Sequence, residues 1–281
     1  MLNEFRIRKV AASIVATLVL LFLTAGVGAQ QDSYTAPRTP DGAPDLNGIW
    51  QALGSAHWDL EGHAARQGGA PILGGLGAIP PGLSVVEGGK IPYQDWALEK
   101  RAENRENWLQ LDPGVKCYMP GIPRATYMPH PFQILQSDRS VFFAYEWDST
   151  TRVARLDRPG TEAPLPSWMG YSLGRFEGET LVIDVTSQVS ETWFDASGNF
   201  HSDELRVTER YTRTSPDALH YEVTIEDPKV FTRPWKISMP LYRRLEENAQ
   251  ILEYKCVEFA EEAMFGEWYR HEESEESDSN E

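Results

Sequence analysis

Residues 168–211 read WMGYSLGRFEGETLVIDVTSQVSETWFDASGNFHSDELRVTERY. Leu181, Ile183 and Val185 alternate with Asp184 and Thr186, the period of two that a half-buried strand produces because successive side chains point to opposite faces. Gly178 supplies the turn before this strand, and Ala196-Ser197-Gly198-Asn199 supplies the next. Beyond it Leu205, Val207 and Tyr211 share one face, while Arg206, Thr208 and Arg210 share the other. Glu209 falls on the apolar face, as does His201 if the strand reaches that far back. An ionisable group turned toward the inside of a β-structure is the sharpest functional signal in the chain.

Working outward, similar strand patterns occupy 133–136, 141–147, 152–156, 219–226, 236–242 and 251–257. Turn residues separate them: Ser137-Asp138, Ser215-Pro216-Asp217, Asp227-Pro228 and Glu247-Asn248. The run 141–147 (VFFAYEW) is apolar on both faces, which requires cover on its outer side as well. A meander of short antiparallel strands must pair its edges, and closure into a barrel does so completely. The expectation is therefore a mainly-β barrel of about nine or ten antiparallel strands, with a first strand near 45–51 and the barrel domain over 117–270. Residues 30–116 are of another kind. They are rich in Gly and Pro, most of all in GGAPILGGLGAIPPGL at 68–83, and read as an irregular wrap with one helix from about 92 to 109. Trp96 and Trp108 near that helix are read as packing residues.

At the amino terminus Arg6, Arg8 and Lys9 precede an apolar run over 10–23 and a small-residue end at Val27-Gly28-Ala29, the layout of a secretory signal peptide over 1–29. The chain is then expected in the periplasm or outside the cell, with no membrane attachment after cleavage. Of its 281 residues 42 are Asp or Glu against 26 Lys or Arg, a net charge of −16. Such an excess repels nucleic acid and anionic surfaces. Six of the acids lie in 271–281 (HEESEESDSNE), where almost nothing apolar is available to bury, and the expectation is a disordered acidic tail. In an oxidising compartment the only two cysteines, Cys117 and Cys256, are most simply one disulfide, two separate buried thiols being the competing reading.

Gly48-Ile49-Trp50 on a first strand resembles the G-x-W opening of lipocalin-like barrels. A longer series covers nearly the whole chain from Pro44 onward: CYMPGIPR at 117–124, PFQILQ at 131–136, WMGYSLGRFEGETLVID at 168–184, His201-Ser202-Asp203, Thr208-Glu209-Arg210-Tyr211, Asp227-Pro228, Pro234-Trp235 and Glu253-Tyr254-Lys255-Cys256. In this order the series resembles a large family of secreted bacterial proteins whose activity is not established. The chain departs from that family at Asp157-Arg158-Pro159-Gly160, where the family has an Asp-Gly-Arg loop followed by a His.

The sequence lacks a phosphate-cradling loop, a dinucleotide fingerprint and a Gly-x-Ser-x-Gly elbow, so no cofactor is expected. His201, Asp203 and Glu204 have no second clustered His beside them, and no metal site is expected either. The first functional expectation is a barrel interior holding a small apolar or aromatic ligand, lined by Tyr145, Trp147, Trp168, Tyr171 and Trp193. The alternative is a cofactor-independent acid/base enzyme, an isomerase, cyclase, lyase or hydrolase. In it His201 or Glu209 is the base, Asp203 orients the imidazole, Glu146 is the partner from another strand, and Arg124 or Arg175 stabilises an oxyanion. Buried charges are also paired for purely structural reasons.

Overall fold

The β-structure begins with a short strand, β1 (Gly48–Ala52), whose Trp50 is fully withdrawn from water. It is followed by β2 (Phe132–Gln136), β3 (Ser140–Tyr145), β4 (Thr151–Arg155), β5 (Tyr171–Glu177) and β6 (Thr180–Thr186). The long strands β7 (Arg206–Ser215), β8 (Ala218–Glu226) and β9 (Trp235–Arg243) complete the set. In this computed structural model, which describes residues 34–69, 71–161 and 163–257, the nine strands close into one barrel in chain order. The leader expected over 1–29 and the tail over 271–281 lie outside the described residues.

Closure is antiparallel between β1 and β9, with Trp50 opposite Arg243 and Ala52 opposite Leu241. Nine strands that reversed direction at every step would leave the first and last parallel, so an antiparallel seam demands one parallel pairing elsewhere. It occurs between β4 and β5, where Ala154 faces Ser172 and Arg155 faces Leu173. The barrel is therefore mixed and not wholly antiparallel as the turn signals suggested. The connection over 156–170 carries the chain from one end of the barrel to the other.

The two ends differ. At one end the connections are tight: 137–139 between β2 and β3, Gly178-Glu179 between β5 and β6, and Pro216-Asp217 between β7 and β8. At the other end lie the long segments over 53–131, 187–205 and 227–234, together with the turn 146–150. This second end is called the mouth below. Residue 251–257 is irregular and not a strand, because the seam between β1 and β9 already satisfies both edges.

Period-two alternation sets the core. Val207, Glu209, Tyr211 and Arg213 of β7 point inward, as do Leu219, Tyr221, Val223 and Ile225 of β8 and Val141, Phe143 and Tyr145 of β3. The opposite face of β3 is half-buried at Phe142 and Ala144. Large rings therefore occupy the interior: Phe132 and Tyr145 centroids lie 5.4 Å apart, and those of Tyr211 and Tyr221 lie 4.7 Å apart.

The wrap contains the expected helix as two pieces, α1 (Asp95–Glu106) and α2 (Trp108–Leu111), and a third short helix, α3 (Arg124–Tyr127), precedes β2. Isolated bridges pin the wrap to the barrel rim at Val86 with Ile237 and Tyr93 with Phe231. α1 lies against the loop 193–199. There Gly198 has φ +79°, and a Cβ would meet the Arg105 nitrogen at 2.6 Å and the Arg101 carbonyl at 2.7 Å, so no larger residue fits without moving the helix. Cys117 and Cys256 form a disulfide across 139 positions of sequence. It joins the wrap to the irregular strap over 251–257, not to a last strand.

Candidate functional site

Inside the barrel the signal read from β7 is real. Glu209 is fully buried, and Arg152 from β4 donates to its Oε2 at 2.5 Å. The phenols of Tyr211 and Tyr221 donate to Oε1 at 2.8 and 2.7 Å. The Arg152 guanidinium also lies 4.4 Å from the Phe143 ring centroid. Burial pushes the Tyr145 phenol beside this group up to about 12. A charge matched by a guanidinium and two hydroxyls inside a packed barrel is a polar core element, satisfied on both carboxylate oxygens.

The other residues read as catalytic are dispersed. His201 precedes β7 and is not part of it; it is buried, with Nε2 2.7 Å from Thr192 Oγ1 and Nδ1 2.8 Å from the Ser202 carbonyl. Burial holds its pKa below the ordinary histidine value. Asp203 is exposed and pairs with Lys229 at 2.8 Å, so it does not orient the imidazole. Glu146 contacts His130 Nδ1 at 3.3 Å and accepts from the Leu252 amide at 3.0 Å. Arg124 makes a double contact with Asp112, 2.7 Å at each oxygen, and Arg175 is exposed and pairs with Glu177 and Asp184. None of His201, Asp203, Glu146 and Glu209 hydrogen-bonds to another. The strand does not reach back to His201, because Ser202 turns the chain by donating its amide and hydroxyl to Asp227 at 2.6 and 2.9 Å.

The aromatic residues read as ligand-lining also separate. Tyr145 belongs to the barrel core, and Trp193 is buried in the 193–199 loop with a bridge to Phe200. Trp168 stacks on Tyr118 with centroids 4.7 Å apart, and the Tyr171 hydroxyl lies 2.9 Å from Thr161 Oγ1. Of these five aromatic residues Trp147 borders a cleft of ligand size.

That cavity is a cleft of about 480 Å³ at the mouth. Trp58, Leu73 and Trp108 come from the wrap, Met128 and Arg124 from the approach to β2, Trp147 from the turn after β3, and Tyr254 from the strap. Trp58 and Trp108 meet edge to face at 6.0 Å, and Trp147 stacks on Tyr254 at 5.1 Å. The Cys117–Cys256 bond holds the strap in place as one wall, with Cys256 itself lining the cleft. His57 lines it too, and burial, reinforced by the Arg124 charge, lowers its pKa to about 4, so the ring is uncharged at neutral pH. Sequence reading singled out Arg124 and Trp147, assigned Trp108 to packing, and missed His57, Trp58 and Tyr254. These come from segments far apart in the chain, and no spacing signals their meeting.

Behind the cleft wall lies a buried pair of acids. Asp195 accepts from the Leu60 and Ser197 amides at 2.8 and 2.9 Å and from Asn199 Nδ2 at 2.6 Å. Burial, with the Asp59 charge adding to it, raises the Asp195 pKa to about 7. The pair ties the 55–61 segment of the wrap to the 193–199 loop, and Ala196 of that loop donates its amide to the His57 carbonyl at 3.0 Å.

Among the described residues no group of three or more His, Cys, Asp or Glu side chains is placed to hold a metal ion, and no helix is long and apolar enough to cross a membrane. Comparison of the chain with protein-family models, with curated proteins and with solved structures finds no match.

Proposed function

We propose that this protein binds a small apolar or aromatic molecule in the mouth cleft, and that it does so in the periplasm or outside the cell. The observation that carries the reading is the cleft itself: about 480 Å³, faced by Trp58, Trp108, Trp147 and Tyr254 with Leu73 and Met128 between them. That size lies within the range of small-molecule sites, and rigid rings offer large apolar contact at little entropic cost. The disulfide suits an oxidising compartment. The scattering of His201, Asp203, Glu146 and Glu209 leaves the acid/base alternative without an assembled site.

The test is a screen of small aromatic compounds against the oxidised protein by tryptophan fluorescence, run beside Leu73→Trp. Leu73 is half-exposed on the cleft wall, so the larger ring fills the cleft without disturbing the core. Titratable binding by the parent that Leu73→Trp weakens at least about tenfold is expected. Equal binding by the two proteins places the ligand elsewhere and ends the reading.

A further inference from the structure

The strap ends at the cleft. Tyr254, Lys255, Cys256 and Val257 are consecutive and all border it, and the disulfide fixes Cys256 to Cys117. Val257 is the last of the described residues and is exposed, so the chain continues from the cleft wall itself. The sequence that follows, EFAEEAMFGEWYR at 258–270, supplies Phe259, Met264, Phe265, Trp268 and Tyr269, whereas 271–281 contain no apolar residue at all. The cleft in turn has rings to cover. Trp58, Trp108, Trp147 and Tyr254 are each only half-buried, and apolar surface gathered around one concavity gains from being withdrawn from water.

We propose that residues 259–268 of the same chain occupy the mouth cleft in the free protein, and that the small-molecule ligand binds by displacing them. This rests on the mouth cleft being the binding site and adds its regulation: the protein carries its own competitor. A ligand that meets an occupied cleft binds with an affinity reduced by the fraction of protein whose cleft is open.

Reach and tethering favour this occupant. Phe259 follows Val257 by two residues, about 7 Å of extended chain, and Trp268 by eleven, about 37 Å, so the segment can cross the cleft or turn back into it. Attachment to a wall of the site gives it an effective concentration on the order of millimolar, at which weak apolar contacts suffice. A second copy of the chain lacks that advantage and brings a like charge of −16. Glu258, Glu261, Glu262 and Glu267 are interspersed with the apolar residues, so the segment can leave its charges in water while its rings turn to the cleft.

The test titrates N-phenyl-1-naphthylamine, an uncharged aromatic whose emission rises in apolar surroundings, into the oxidised full chain. In the triple variant Phe259→Ser, Phe265→Ser, Trp268→Ser the probe is expected to bind at least about fivefold tighter than in the parent. A synthetic peptide of residues 258–270 at about 1 mM, the scale of concentration that tethering supplies, should compete with the probe in that variant. Leu73→Trp should weaken probe binding in both backgrounds, which keeps the site in the cleft. Equal affinity in parent and triple variant, with Leu73→Trp still weakening both, overturns the competitor and leaves the cleft reading standing. Weaker binding by the triple variant overturns it as well, since the segment then helps to hold the probe, and so does a peptide that fails to compete. No binding by either protein, or binding that Leu73→Trp leaves untouched, strikes the cleft reading itself.

Discussion

Arg152 and Glu209 face each other across the barrel interior, Nη1 to Oε2 at 2.5 Å, with neither side chain reached by solvent to any useful degree. Desolvation of two charges is costly, and their attraction offsets it only while both are present. Glu209→Gln keeps an acceptor for Tyr211 and Tyr221 but leaves a buried guanidinium unmatched. It is expected to destabilise the fold by about 3–5 kcal/mol, measured by urea denaturation. Arg152→Met combined with Glu209→Gln should cost less than the two single changes added together, because no unmatched charge remains.

The disulfide should contribute mainly by limiting the unfolded chain. For Cys117 and Cys256, 139 positions apart, the chain-entropy relation gives about 5 kcal/mol, and real proteins return about 2–4. The double change Cys117→Ser with Cys256→Ser is expected to lower the denaturation midpoint accordingly. Because the strap is one wall of the cleft, the same variant should show faster amide exchange over 251–257 and weaker ligand binding. Tight binding retained in the variant would show that the strap is held by its own contacts through Tyr254.

Two buried groups should tilt the pH dependence of stability in opposite directions. Asp195 has its pKa raised from 3.8 to about 7, so between those values the native state holds a proton that the unfolded state has lost. Stability therefore falls as pH rises through that window, by up to about 4 kcal/mol. His57 has its pKa lowered from 6.5 to about 4, so between pH 6.5 and 4 the unfolded state takes a proton that the native state refuses. Its contribution is present above pH 6.5 and is lost as pH falls toward 4. Unfolding free energies measured from pH 4 to 8 should rise more steeply with pH in Asp195→Asn than in the parent. In His57→Phe they should rise less steeply. Parallel curves for all three proteins would contradict both assignments.

His201 is expected to be a structural residue. His201→Ala removes the ring that meets Thr192 and the Ser202 carbonyl. The change should cost about 1–3 kcal/mol of stability and leave cleft binding within about twofold of the parent. A loss of binding at undiminished stability would return it to the site.

Gly198→Ala should be severe for a small change. The added methyl meets the α1 backbone at Arg105 and Arg101, and the positive φ is lost to most residues. A drop of several °C in thermal midpoint is expected, with the cleft affected through Ala196 two positions earlier.

Period-two patterning carried most of the barrel, and the inward placement of Glu209 in β7 follows from it alone. The parallel pairing of β4 and β5 was hidden because it depends on strand parity and on where the 156–170 connection ends, and neither leaves a mark in local composition. The 251–257 stretch alternates well enough to read as a strand, but hydrogen-bonding edges are a property of the whole sheet, and β1 and β9 had used the last two. The pattern left open whether β7 reached back to His201, and what decides it is Asp227, 25 positions away in sequence, which captures Ser202 and bends the chain. The cleft was the least legible part. Its walls are drawn from wrap, turn and strap, and a concave surface made of distant segments has no period.

Because β1 is the seam, the barrel's first strand in sequence pairs with β2 more than 80 residues later and with β9 some 190 residues later. The hairpins β2–β3, β5–β6 and β7–β8 close locally, but Gly48–Ala52 has no complete berth until Arg243 has appeared. Contacts of such range are slow to form because loop closure must precede their reward. Until β1 and β9 meet, each presents an unpaired edge to any passing strand, which makes the seam, and not the cleft, the place where chaperones or misassembly would act first.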